Sequence, residues 1–121
     1  MTVSPPDAQP LLILFGSRAK GTARADSDWD VAVASDHQMS LDERVAWAQK
    51  AAHLLQVNED RVDLVDTWSA SPLLQHYIGE QGRLLAGDPF LFVRFRVLAW
   101  KRYQDTAKLR RLRSEALKHH V

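Results

Sequence analysis

The chain has no cysteine in its 121 residues, so disulfides and thiolate metal sites are excluded. It has no apolar run near the ~20 residues that cross a bilayer. Its first residues, Met-Thr-Val-Ser-Pro-Pro-Asp, lack the basic start and small-residue cleavage site of a secretory signal. It lacks the length for two cores. We therefore expect one cytoplasmic domain over residues 1–121, with a loose polar, Pro-rich arm at 1–9. A strong charge of either sign is also missing, since the net charge is +1. The distribution is uneven, however. From Lys101 onward there are seven Lys/Arg and two acids, against nine and thirteen in the hundred residues before. An acidic body suits metal binding. A basic tail suits an anionic partner, or is simply a solvated helix face.

Several segments declare their structure. Leu11-Leu-Ile-Leu-Phe15 is a short apolar run and reads as a buried strand. Residues 16–27 are small, polar and charged, and read as a loop. Trp29 to Val33 alternates as a strand does, and so does Arg61 to Thr67. Between them, Ser40 and Glu43 form a capping box, and Leu41, Val45, Ala48, Ala52 and Leu55 follow at helical spacing. Ser71-Pro72 and Asp88-Pro89 each pair an N-cap with a proline at the first helical position. The first opens a helix stopping near Gly82. The second opens a C-terminal helical segment over 88–118. Arg83 to Ala86 reads as a short edge strand. Phe90 to Trp100 is apolar on nearly every side except Arg94 and Arg96, as in a helix deeply buried or shared with another subunit. The five histidines, His37, His53, His76, His119 and His120, show no paired metal-ligand spacing and are expected at the surface.

The chemistry is concentrated in Gly16-Ser17, followed after ten residues by Asp28-Trp29-Asp30. Two acids two positions apart on a strand point to one face, about 6.7 Å apart along the chain. Such carboxylates repel unless a cation lies between them. Hard cations such as Mg²⁺ take one or two carboxylates plus substrate phosphates. Two metals then clamp the attacking and leaving oxygens of a phosphoryl displacement. Gly16 permits close approach of the backbone to a phosphate, and the Ser17 hydroxyl can hold its oxygens. Arg18, Lys20 and Arg24 share the loop and are candidates for neutralising a triphosphate. A Walker A loop is rejected, because no Lys follows Gly21. Asp63 and Asp66 lie three positions apart on the third strand. They face opposite ways, so only one can join Asp28 and Asp30.

The stretch from Phe15 to Val31 resembles the signature of the DNA polymerase β type nucleotidyltransferase superfamily: Gly-Ser, about ten residues, then Asp-x-Asp. It is most similar to the minimal nucleotidyltransferases (MNT), the MntA-like antitoxins paired with HEPN ribonuclease toxins. Val62-Asp63-Leu64-Val65 resembles the family's third acidic motif, and Tyr103-Gln-Asp105 a weaker one. The likeness covers most of residues 11–110. It departs at Lys20, where an Arg is usual, which keeps the charge but not the bidentate fork. It departs again at Trp29, expected to pack away from the acids.

The resemblance implies an α+β fold: a small mixed β-sheet with helices packed on one side and a long C-terminal helix. It implies a Mg-dependent protein AMPylase, with ATP as substrate and two Mg²⁺ ions held by Asp28, Asp30 and Asp63, of which Asp63 is preferred over Asp66. Nucleotide would be bound by Gly16, Ser17, Arg18 and Lys20. AMP would pass to a hydroxyl, a tyrosine in this family, of a partner HEPN toxin. A hetero-oligomer with that toxin follows, with no membrane and no nucleic-acid role. Two other readings stay open: a small-molecule nucleotidyltransferase of the aminoglycoside type, and an antitoxin that acts by binding alone.

Overall fold

In the computed structural model, which describes residues 10–118, strand β1 (Leu11–Phe15) is buried at all five positions. A strand apolar on both faces must be covered on both, and this requirement organises the chain. β1 lies inside a four-stranded sheet of order β3-β2-β1-β4. It pairs antiparallel with β2 (Trp29–Ala34) and with β4 (Arg83–Ala86), which forms one edge. β2 pairs parallel with β3 (Val62–Asp66) at the other side. The mixed sheet and the short edge strand agree with the sequence reading. The arm at 1–9, His119 and His120 lie outside the described residues.

Among the described residues four α-helices connect and cover the strands: α1 (Ser17–Lys20), α2 (Leu41–Leu55), α3 (Pro72–Gln81) and α4 (Pro89–Lys118). Among the described residues no helix is long and apolar enough to cross a membrane. One face of the sheet presents Leu12, Leu14, Val31 and Val33 to Ala19 of α1 and to Ala51, Trp47 and Leu55 of α2. The opposite face presents Leu11, Ile13, Phe15 and Ala32 to Ile78 of α3 and to Leu91, Phe92 and Phe95 of α4. The helices thus divide between both faces, where the resemblance implied one. The uninterrupted apolar run of β1 is the reason.

Local differences from the sequence reading also have physical causes. The glycine-serine segment, read as loop, makes one helical turn before Gly21 ends it in a left-handed conformation. Four residues are too few to show helical periodicity. α2 is capped as expected, with the Glu43 N–H donating to Ser40 Oγ at 3.2 Å and the Ser40 N–H donating to Glu43 Oε1 at 3.1 Å. Its buried side centres on Ala51 and Ala52, whereas Leu41 and Val45 are exposed. His37 is at the surface, where hydrogen bonds to Asp36 and Glu43 push its pKa up to about 8.

Asp88 directly precedes α4, and its Oδ1 accepts the Phe90 N–H at 2.9 Å. The helix packs closely on α3 where Gly79 meets Arg96: a Cβ at Gly79 would lie 3.3 Å from the Arg96 Cα. Its apolar segment serves two purposes. Leu91, Phe92 and Phe95 face the core, while Phe90, Val93, Val97 and Trp100 are 74, 53, 58 and 54% exposed.

Candidate active site

The site forms where β1 ends and β2 and β3 begin. Phe15, the last residue of β1, stands opposite Asp30, and Asp30 stands opposite Asp63 across the parallel pair. Opposed residues share a face, so Asp30 and Asp63 project on the α3/α4 side. Asp28 immediately precedes β2. Asp28 and Asp63 are exposed and Asp30 is half-buried. The Gly16 backbone turns over this group at φ 74° and ψ −155°, a conformation left to glycine. A Cβ at that position would overlap the Asp30 carboxylate. Gly16-Ser17 and Asp30 are therefore parts of one surface, as their spacing implied.

Partial burial raises the pKa of Asp30 above the ordinary aspartate value, and the charges of Asp63 and Asp28 raise it further. Asp30 therefore senses both neighbouring carboxylates. A cation among them would offset both the desolvation and the repulsion. Among the described residues, no three acidic or histidine side chains are gathered closely enough to enclose a metal ion by themselves. The donor set fits a hard cation held by one or two carboxylates, with phosphate oxygens completing its shell. Two clefts of about 600 and 710 Å³ lie elsewhere, one lined by Leu11, Trp68 and Arg94 and one by His76, Val97 and Trp100. The acidic group lines neither of these, and Asp28 and Asp63 are exposed.

Asp66 has a different task. It is buried, with Oδ2 accepting the Met39 N–H at 2.9 Å and Oδ1 accepting the Trp68 N–H at 3.0 Å. It opposes Val33, on the α2 face. The two acids of β3 thus point opposite ways, with Asp63 beside Asp30 and Asp66 fastening the chain at the strand end. Trp29 packs on the α2 face, away from the acids, as expected.

The basic residues of the loop divide. The Arg18 guanidinium lies over the Trp29 ring, 4.3 Å from its centroid. Its Nη2 donates to the carbonyl oxygens of Ala25 at 3.3 Å and Ser27 at 2.9 Å. Through Nη2, Arg18 braces the loop that leads into Asp28. Lys20 is exposed. Its ammonium lies 4.9 Å from the centroid of Tyr77, and Tyr77 packs edge-on against Phe15, the residue opposite Asp30. Arg61 was not singled out in the sequence, yet it donates to the same two carbonyls as Arg18. Its position two residues before Asp63 was the available signal.

Residues 9–89 match the family model for polymerase beta, nucleotidyltransferase. The chain belongs to that family. Among curated proteins it is similar to the protein adenylyltransferase MntA of Aphanizomenon flos-aquae (strain 2012/KM1/D3), 31% identical over 86 residues covering 65% of this chain and 57% of the relative. It is also similar to the MntA of Shewanella oneidensis, 44% identical over 80 residues covering 64% and 53%. The chain spans little more than half the length of these relatives. Among solved structures it resembles a toxin–antitoxin crystal structure with AMP-PNP, at TM-score 0.71 and 32% identity, over 92% of this chain and 87% of the other. A second is the Shewanella oneidensis complex of a tri-AMPylated HEPN toxin with its MNT antitoxin, at TM-score 0.63 and 31% identity, over 94 and 86%.

Proposed function

We propose that this chain is a protein adenylyltransferase antitoxin, which transfers AMP from ATP to a tyrosine hydroxyl of a partner HEPN toxin and so neutralises it. The observation that carries the reading is the lateral pair Asp30 and Asp63 with Gly16 turned over it, inside a nucleotidyltransferase domain. The relatives named protein adenylyltransferase and the AMPylated toxin complex support it.

In this reading Asp28, Asp30 and Asp63 would hold Mg²⁺, two ions in all, which would supply charge neutralisation at the phosphates. The Gly16-Ser17 turn holds the triphosphate, and Lys20 faces its charge. The acceptor oxygen attacks the α-phosphorus. The bond from that phosphorus to its bridging oxygen breaks, and pyrophosphate leaves. Asp63, the more exposed of the lateral pair, helps take the hydroxyl proton. Most of the catalysis is positioning and charge stabilisation.

The exposure of Asp28 and Asp63 suits an acceptor that is itself a folded protein. Phe90, Val93, Val97 and Trp100 recur at helical spacing and form an exposed apolar stripe on α4. Contiguous exposed apolar surface of this kind marks an interaction site, and we assign part of the toxin contact to it. The test is incubation with labelled ATP, Mg²⁺ and the product of the adjacent gene. Label on that protein, with loss of its toxicity, is the expected result. Label on an aminoglycoside instead, or neutralisation without any label, contradicts it.

A further inference from the structure

The sheet fixes Asp30 against Asp63, because the two are register partners. It does not fix Asp28. The β2–β3 pairing begins at Trp29 and Val62, so Asp28 lies just outside the ladder. What holds Asp28 is the loop leading into it, and two arginines hold that loop.

Arg61 Nη2 donates to the carbonyl oxygens of Ala25 and Ser27, each at 2.9 Å. Arg18 Nη2 reaches the same two oxygens. Within the loop, the Arg24 N–H donates to Ser27 Oγ at 2.9 Å and the Ser27 N–H donates to the Arg24 carbonyl at 3.0 Å, closing a tight turn. One guanidinium would satisfy both carbonyls. Bringing a second cation to them adds like-charge repulsion, so bonding capacity alone gives no reason for it. The second arginine differs in where it is anchored. Arg18 belongs to α1, whereas Arg61 directly precedes β3 and stands two residues before Asp63. Its clasp therefore connects the loop carrying Asp28 to the strand carrying Asp63, a connection the sheet does not make.

We propose that Arg61 is a positioning residue: by clasping the Ala25 and Ser27 carbonyls it sets Asp28 relative to Asp63, so that both address one cation-bound triphosphate. This rests on the nucleotidyltransferase reading above. Supporting residues that orient metal ligands typically change affinity or activity by 10–100-fold when removed.

The test uses the full chain, with Mn²⁺–ATP as a spectroscopic probe of binding and hydrogen exchange at the amides of residues 24–28 in the free protein. Arg61→Ala should accelerate exchange in that loop and weaken Mn²⁺–ATP binding about 10–100-fold. Arg61→Lys, which keeps the charge but offers no planar fork, should recover part of both. Should the alanine variant not fold, Arg61→Gln carries the same comparison. A lower melting temperature with unchanged loop exchange and unchanged Mn²⁺–ATP affinity of the folded protein overturns the proposal and leaves Arg61 a stability brace. If the wild-type chain binds Mn²⁺–ATP no better than Asp30→Asn does, the nucleotidyltransferase reading fails as well. Binding by the wild type with no effect at Arg61 sinks the clasp alone.

Discussion

Asp30 of β2 and Asp63 of β3 stand side by side across a parallel strand pair, on the same face of the sheet. Burial and two neighbouring carboxylates raise the pKa of Asp30, so its ionisation in the folded state works against folding. That penalty is full at neutral pH and disappears as the pH falls below the unfolded aspartate range near ~3.9. Asp30→Asn should therefore stabilise the metal-free protein at pH 7, modestly because solvent screens the site. The gain should shrink as the pH is lowered through the Asp30 pKa. Thermal melts of both proteins between pH 3 and 7 check this. Equal melting temperatures at pH 7 would show that the carboxylates do not repel.

Gly16→Ala tests the turn over Asp30. The backbone there is at φ 74°, and a methyl would overlap the Asp30 carboxylate. We expect a loss of about 1–3 kcal/mol in stability from strain. AMP transfer should fall further than the folded fraction does. Activity that merely tracks the folded population would mean that the turn and the carboxylate act independently.

Asp66→Ala should do the reverse of Asp63→Asn. Removing the buried carboxylate strands the Met39 and Trp68 N–H groups, at a cost of about 2–4 kcal/mol. The protein that remains folded should transfer AMP. Asp63→Asn should abolish transfer with little effect on the melt. Chemical denaturation and a transfer assay on both variants separate the two acids of β3.

The stripe on α4 predicts a partner contact that the catalytic group does not share. Trp100→Ala should weaken HEPN toxin binding by about 2 kcal/mol or more, in the range of an aromatic hot spot. The melt and the Mn²⁺–ATP affinity should stay unchanged, because Trp100 is 54% exposed. Calorimetric titration of toxin into each protein measures the difference.

Much of this architecture was legible in the residues. Apolar runs and caps located β1, α2, α3 and α4, because burial and end-satisfaction leave local marks on sequence. The period of two along β3 set Asp63 and Asp66 on opposite faces, and the family resemblance chose Asp63. Coverage of both sheet faces was less evident, although β1 carried the clue in having no polar position. The tasks of the basic residues were hidden. A sequence shows that Arg18 and Lys20 share a loop, but not that one guanidinium folds onto Trp29 while the other cation lies over Tyr77. Arg61 meets the loop 34 and 36 residues away, through contacts that no local pattern encodes.

The central claim is that Asp28, Asp30 and Asp63 together carry nucleotidyl transfer. Its most direct measurement is the rate of label transfer from ATP to the HEPN toxin by the three single Asn variants, set beside folded Asp66→Asn. The account predicts losses of about a hundredfold or more for the first three and near wild-type transfer for the fourth. Efficient transfer by the Asp28→Asn, Asp30→Asn double variant would contradict it.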